Sequence, residues 1–519
     1  MMQDSRGNIL WVDDEIHHLK PHILFLEEKG YNLIQATNGD DAIALCQEYQ
    51  FDLILLDQSM PGMDGLKTLQ SIKHIRESMP IIMITKTEDE WLMDEAITSQ
   101  VEQFLIKPVN PSQIFMACKQ VLEKNSLREE RATSDYLKDF QDINACLQDD
   151  LSCQDWWGLY NRLVRWQLKF DEYKDTGLGN ILTEQIQTCN REFSRFIEQN
   201  FLSWLSTDDR PVLSTDLFSH FIMPLLKRNS KVCLIVLDCL RHDQFMSILP
   251  ILENLFNVDL SFQVSLLPSA TPYSRNAIFS GLFPDEMVKK YPEQKKIMSE
   301  HALGLNQFEK TFLVDQIKRH GFKDKSSYYH KIWAVEEGQR FQRTIQDLLN
   351  VDILALVVNF VDILAHRSPQ MDILKEMVPD EAGYRTAVHS WTKNSWFNQV
   401  LKVLSDSEFT VIITSDHGSI RVQRDVMVAA DKEASSGVRY KYGRNLNARK
   451  RNALIIKNPA HYRLPIFGPQ FNYLIAKDDV YFVYPNEAHK YKTQFRNSFQ
   501  HGGISMEELL VPVGIMKGL

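Results

Sequence analysis

The chain has 519 residues, 44% of them hydrophobic and 24% charged, with a formal net charge of −10. That is too long for one core and too acidic overall for a general polyanion binder. The opening MMQDSRGNILWVDDE lacks a basic n-region and an apolar h-region, and no apolar run approaches the roughly 20 residues of a membrane span. Neither a secretory leader nor membrane insertion is therefore expected.

Seven cysteines without a CxxC pair argue against a disulfide framework and a structural zinc knot, so a cytoplasmic, reduced, multidomain protein is expected. Residues 1–124 alternate strand-like and helix-like segments: NILWVDDE, HHLKPHILFLEEKGY, NLIQAT, GDDAIALCQEY, FDLILLDQSMPG, KTLQSIKHIR, PIIMIT, EDEWLMDEAITS, VEQFLIKP and PSQIFMACKQVLEK. Five strands alternating with five helices predict a doubly wound parallel sheet. Asp13 and Asp14, Asp57, Thr85 and Lys107 interrupt the ends of its apolar strands. Any one of them reads equally well as a helix cap. Together, three carboxylates at adjacent strand ends repel one another unless a hard cation such as Mg²⁺ lies between them. A lysine and a threonine beside them would bind a phosphoryl group.

This pattern resembles the receiver domain of two-component response regulators. The resemblance implies that Asp57 accepts a phosphoryl group from a cognate histidine kinase. It implies a Mg²⁺ site of Asp14 directly, Asp13 through water, Asp57 itself and the Ser59 carbonyl. Thr85 becomes the switch hydroxyl, Lys107 the phosphate-binding cation and Phe104 the switch aromatic. The position after the switch hydroxyl is usually small in that family, and here it is Lys86. We expect Lys86 to hinder the hydrolytic water and prolong the phosphorylated state.

Residues 125–205 are poor in glycine and proline and carry apolar stripes at helical spacing: Leu137, Phe140, Ile143, Leu147; Trp157, Tyr160, Leu163, Val164, Leu168; Ile181, Ile186, Phe193, Phe196, Ile197. An α-helical bundle is predicted. No recognition helix, zinc finger or basic helix appears, so no duplex-DNA-binding domain is expected. The bundle is left with relaying phosphorylation or forming a homodimer.

In residues 206–519 the α/β alternation resumes. Apolar runs end in Asp238 (VCLIVLD), in Asp362 and His366 (LALVVNFVDILAH), and in Asp416 and His417 (FTVIITSDHG). Thr271 opens TPYSRNAIFSG, and His501 lies in FQHGGIS. Each fragment alone is commonplace: a strand-ending aspartate is often a cap, and Asp-x-x-x-His is more often a salt-bridged helix face. Buried parallel strands, however, gather such residues on one edge, where ligands bind. The spans 285–346 and 419–499 are longer than connections need and are expected to be insertions forming a cap or wall.

The ordered set resembles the alkaline phosphatase superfamily, nearest to its PglZ-type domain. The resemblance implies one metal on Asp362, His366 and His501 and a second on Asp238, Asp416 and His417. These would be two Zn²⁺, with Mn²⁺ as the rival, and Thr271 would be the nucleophile between them. The ATPYSRNAIFSG segment also resembles sulfatases, through Ser274, Arg275 and Gly281. Their formylglycine requires Cys or Ser where Thr271 stands, so a phosphodiesterase is favoured over a sulfatase. Arg275 is expected to contact substrate. So are Arg449, Lys450 and Arg451, in a basic stretch (439–452) with Tyr440 and Tyr442 interleaved for base stacking. The same stretch reads equally well as a solvated loop.

The three-part order resembles PorX-type response regulators, which are associated with type IX secretion. The fold class expected is α/β: an N-terminal doubly wound (βα)5 receiver, a central α-helical bundle and a C-terminal α/β alkaline-phosphatase-like domain. The function expected is a phosphorylation-controlled, two-metal phosphodiesterase acting on nucleotides or oligonucleotides. A phosphomonoesterase and a non-catalytic adaptor docking a secretion-motor or sigma-factor partner stay open as alternatives.

Overall fold

The computed structural model describes residues 6–76, 78–86, 101–171, 177–299, 305–365, 378, 380–428 and 437–519, of which 124–130, 299 and 486 contribute backbone only. The chain divides into two compact units, Met1–Asp139 and Phe140–Leu519.

In the first unit, β1 (Asn8–Val12), β2 (Asn32–Ala36), β3 (Leu53–Asp57), β4 (Ile81–Thr85) and β5 (Gln103–Ile106) form a parallel sheet in the order β2-β1-β3-β4-β5. Helices α1 (Lys20–Glu28), α2 (Gly39–Glu48), α3 (Gly65–Ile75) and α4 (Pro111–Cys146) connect or follow the strands. Strand β3 shows why its sequence is an unbroken apolar run. Ile54 and Leu56 enter the core on one face, and Leu53 and Leu55 that on the other. Side-chain caps fix two helix starts, Asn38 accepting from the Asp41 N–H and Asp64 from the Lys67 N–H. The helix predicted over EDEWLMDEAITS lies outside the described residues.

The second unit opens with the end of α4 and two helices, α5 (Cys153–Asp171) and α6 (Leu178–Trp204). Ile181 is exposed and the inward positions are Leu182 and Gln185, one residue off the predicted stripe. The Gln185 amide donates to the Phe140 carbonyl at 3.1 Å, so a polar residue takes an inward place that an apolar count overlooks.

These helices pack on a six-stranded mixed sheet of order β7-β18-β10-β6-β9-β8. Its strands are β6 (Lys231–Leu237), β7 (Phe256–Val264), β8 (Ser327–Ile332), β9 (Ile353–Val358), β10 (Phe409–Thr414) and β18 (Leu510–Gly518). Strands β8, β9, β6 and β10 run parallel, whereas β18 is antiparallel to β10 and to β7. Strand β8 corrects the expectation that 285–346 is wholly an insertion, because it is the edge strand of the main sheet. The span 419–499 builds smaller sheets. Strand β11 (Ile420–Arg421) pairs with β17 (Phe499–Gln500), and β12 (Arg424–Met427) with β16 (Val480–Val483). The other three, β13 (Tyr440–Arg444), β14 (Ala453–Ile456) and β15 (Phe471–Ala476), are ordered β13-β15-β14.

Contacts between the helices and the sheet are intimate. Trp157 stacks on Phe262 with centroids 4.8 Å apart and lies 4.3 Å from the His242 ring. Asn190 Nδ2 donates to both oxygens of buried Glu507, at 3.2 and 2.9 Å, and its Oδ1 accepts the Met506 N–H at 2.8 Å. Arg385 makes two 2.7 Å bonds to Asp171 and a third, of 2.9 Å, to Asp243.

Candidate functional site

Three parallel strands deliver acidic groups to one sheet edge. Asp238 follows β6, Asp362 lies in the short helix Phe360–Ala365 after β9, and Asp416 and His417 follow β10. Candidate ligand atoms of Asp238, Asp416 and His417 lie within 4.8 Å of one another, and all three residues are buried. His417 Nε2 is 3.6 Å from Asp416 Oδ2 and 3.9 Å from Asp238 Oδ1. His417 Nδ1 faces the Gly418 carbonyl at 3.1 Å. A carbonyl only accepts, so in the neutral ring the proton sits on Nδ1 and the Nε2 lone pair faces the carboxylates.

His501 stacks on His417 with centroids 4.1 Å apart, and its Nε2 lies 3.9 Å from Asp362 Oδ1. This pair forms the more open half of the site. Of the six expected ligands the structure brings five together, and His366 lies outside the described residues.

Gly418 is required by close approach. A Cβ there would stand 2.0 Å from the Glu507 carbonyl oxygen. At Gly502 the φ of +114° and a Cβ position 2.3 Å from Tyr440 make the same demand in the HGG segment.

Thr271 is the first residue of a buried helix, α7 (Thr271–Ser280), and its Oγ1 is 3.0 Å from His417 Nε2. With Nδ1 protonated, the threonine hydroxyl is the donor. A helix start ordinarily offers several free N–H groups, but this sequence allows fewer. Pro272 has none, and the Ala270 carbonyl takes those of Tyr273 and Ser274, which leaves the Thr271 N–H.

Arg275, one turn along, is 1% exposed. Its Nη1 donates to Asp238 Oδ2 and its Nε to Glu309 Oε1 at 2.6 Å, and Asp416 Oδ2 is 3.9 Å away. The guanidinium is thus committed to buried carboxylates behind the nucleophile, not presented at an open wall. Burial raises both aspartyl pKa values. For Asp238, Arg275 and His417 more than offset this and hold it below its ordinary value. Asp416, beside the Asp238 carboxylate, is pushed up to about 6.

Among the described residues no hydrogen-bond donor reaches Asp238 Oδ1 or Asp416 Oδ2. Two buried oxygens so placed must share a proton or face a cation. The donor set of carboxylates and imidazoles fits a divalent ion of the zinc or manganese kind.

Several supporting residues escaped the sequence reading. Asn359 Nδ2 donates to Asp238 Oδ2 at 2.9 Å, and Ser265 Oγ to the Asp416 carbonyl at 2.7 Å. Asn359 ends an apolar strand as the ligands do, a signal that could have found it; Ser265 follows a strand of mixed burial, without such a signal.

The basic stretch divides into a buried strand segment and an exposed turn. Arg439 and Lys441 point inward, Arg439 onto Glu508 at 2.5 Å, while Arg449, Lys450 and Arg451 lie exposed in the turn after β13. Tyr442 is 6% exposed and packs with Tyr473 and Phe471, so it offers no free face for a base. Tyr440 packs edge-on against Tyr273.

In the first unit, ligand atoms of Asp13, Asp14 and Asp57 lie within 4.8 Å of one another, and Lys107 Nζ is 2.9 Å from both Asp13 and Asp57. Burial raises the Asp57 pKa and Lys107 offsets only part of this. A carboxyl cluster with one cation fits a hard ion with oxygen ligands, Mg²⁺. Thr85 is buried at the neighbouring strand end, Phe104 is half-buried on β5, and Ser59 is exposed in the loop after β3. Exposed Lys86 lies 3.9 Å from Glu15.

Comparison with known proteins finds three family models along the chain. The BREX system PglZ alkaline phosphatase-like domain matches residues 217–516, the response regulator receiver domain 9–119, and the PorX response regulator linker domain 126–205. The chain belongs to the PglZ alkaline phosphatase-like family, whose model covers more than half of it. Receiver, linker and PglZ domain, in that order along one chain, are those of a PorX-like two-component response regulator.

Similar curated proteins include the transcriptional regulatory protein ResD of Bacillus subtilis, 34% identical over 126 residues, which are 24% of this chain and 52% of ResD. ZraR of Salmonella typhimurium is 36% identical over 117 residues, 22% of this chain and 26% of ZraR. The chain therefore spans about half or less of the curated relatives it matches. Similar solved structures include a CheY-like receiver from Methanospirillum hungatei, with 26% identity and a TM-score of 0.23, covering 23% of this chain and 97% of that one. Another is Vibrio cholerae CheY4, with 27% identity and a TM-score of 0.22, covering 22% and 98%. Among the described residues no helix is long and apolar enough to cross a membrane.

Proposed function

We propose that the C-terminal domain is a metal-dependent phosphodiesterase acting on nucleotides or oligonucleotides, and that phosphorylation of Asp57 by a cognate histidine kinase controls it. The observation that carries this reading is the Thr271 hydroxyl, 3.0 Å from a buried imidazole that itself sits within a carboxylate cluster. Asp238, Asp416 and His417 would hold one ion and Asp362, His366 and His501 a second, with zinc the best match to the donors and manganese the next. Bound ions of this kind lower the pKa of a hydroxyl and neutralise charge on a transferring phosphoryl group.

Thr271 Oγ1, its acidity raised when the site is loaded, releases its proton to solvent and attacks phosphorus. The bond from phosphorus to the leaving alcohol breaks, and water then cleaves the threonyl phosphodiester. Arg275 holds Asp238 in place from behind. The exposed Arg449, Lys450 and Arg451 would meet the polyanionic remainder of an oligonucleotide. In the receiver, Asp13, Asp14, Asp57 and the Ser59 carbonyl would hold Mg²⁺, with Lys107, Thr85 and Phe104 reading out the phosphoryl group. The protein would work in the cytoplasm, dimerise on phosphorylation and act in type IX secretion control, as the PorX-like domain order supports.

The deciding experiment is metal analysis combined with hydrolysis of a diester and monoester panel by wild type, Thr271→Ala and Asp57→Asn. Diester cleavage lost in Thr271→Ala supports the reading, and cleavage that survives it removes the nucleophile. Metal bound without any hydrolysis would turn the domain into a docking platform for a secretion-motor or sigma-factor partner.

A further inference from the structure

Strand β8, at the edge of the main sheet, carries a feature that phosphoryl transfer leaves unused. Side chains alternate along a strand, so Tyr329 and Lys331 share one face, and Trp333 follows the last strand residue. Tyr329 Oη donates to Glu309, and Lys331 Nζ lies 3.3 Å from the same carboxylate. Glu309 accepts from Arg275, which in turn holds Asp238. Polar contacts therefore run outward from the ligand cluster to Lys331.

There the line meets an aromatic ring, with Lys331 Nζ 4.7 Å from the Trp333 centroid. The Trp333 side chain is open although its backbone is fixed. Its N–H donates to Glu337 Oε2 at 2.8 Å, yet the residue is 55% exposed. Nor does it stand far from the chemistry. The carbonyl of Ile332, just before it, accepts the Asn359 N–H at 3.1 Å, and Asn359 is the residue that donates to Asp238. An indole with a cation on one face and solvent on the other is a stacking platform for a flat heterocycle.

We propose that Lys331 and Trp333 form the nucleoside subsite of this active site: Trp333 stacks on the base and Lys331 faces the sugar-phosphate oxygens. This rests on the phosphodiesterase reading and extends it, because it accounts for a preference for nucleotidic over simple diesters.

The test uses the full chain and two diesters releasing the same p-nitrophenolate, the p-nitrophenyl ester of thymidine 5′-monophosphate and methyl p-nitrophenyl phosphate. Stacking on an aromatic side chain is worth about 1–3 kcal/mol per base. Trp333→Ala should therefore lower kcat/KM for the nucleoside ester about 5- to 150-fold, mainly through KM, with the methyl ester little changed. Trp333→Phe should recover most of the loss. An equal fall for both esters, or no fall for either, overturns the subsite.

Calorimetric binding of AMP and adenosine reads the subsite without turnover. Trp333→Ala should weaken both, and Lys331→Gln should weaken AMP alone. If wild type cleaves neither ester, the phosphodiesterase reading fails. If AMP affinity is indifferent to Trp333→Ala, the subsite fails on its own account.

Discussion

Replacing Arg275 by methionine gives the sharpest test of how the cluster is held together. The guanidinium is buried among three carboxylates, touching Asp238, 2.6 Å from Glu309 and 3.9 Å from Asp416. A charge pair about 4 Å apart is worth about 4 kcal/mol at an effective dielectric of about 20. Removing one partner of a buried pair costs about 3–5 kcal/mol, because the remaining charges stay desolvated and unpaired. Methionine keeps much of the volume, so cavity cost stays small. Arg275→Met should thus be less stable than wild type by about 3–5 kcal/mol in urea titrations with chelator present.

Zinc should narrow that gap, since added positive charge in the cluster does part of what the guanidinium did. Tryptophan fluorescence can follow the unfolding of the C-terminal unit. A variant as stable as wild type under chelation, or a gap unaltered by zinc, would refute the view that Arg275 neutralises the ligands.

Burial pushes the Glu507 carboxyl up to about 7, against Arg241 and Asn190, which lower it. A carboxyl raised on folding binds its proton more tightly in the native state. Stability therefore falls as pH climbs from the unfolded value towards 7, by up to about 3 kcal/mol, and is constant beyond. Glu507→Gln should flatten that decline, and urea midpoints at pH 5 and pH 8 will show whether it does. Gly418→Ala puts a Cβ 2.0 Å from the Glu507 carbonyl, so His417 must shift, and zinc retained after dialysis should drop at least about tenfold. Lys86→Ala should shorten the life of the Asp57 phosphoryl group, and an unchanged dephosphorylation rate in a radiolabel chase would dismiss the shielding role.

Both sites were readable where the fold makes burial continuous. Strands such as Leu53–Asp57, Lys231–Leu237 and Phe409–Thr414 are covered on both faces, so each reads as an apolar run broken at its end by the functional group. Edge strand β8 gave no such signal, because SYYHKI is half-exposed and sets two adjacent tyrosines among polar residues. Glu309 and Arg275 were obscure for another reason. Their pairing joins residues 34 apart whose charge is cancelled in the interior, and a lone arginine in a sequence reads as a solvent or ligand contact. Tyr442 misled similarly: beside lysines and arginines it looked like part of a wet wall, but β13 is covered on both faces there and the ring packs on Tyr473 and Phe471.

The way the two helices α5 and α6 are bound to the sheet has a bearing on how such chains are assembled over evolutionary time. Asn190 serves Glu507 and Trp157 covers Phe262. A recombination breakpoint near residue 206 would strip a buried acid of its amide donor and leave an aromatic face bare. The division between compact units falls earlier, at 139 and 140, upstream of those contacts. The heritable cassette is therefore helices plus phosphatase-like domain, and the receiver is the part that can be traded against it.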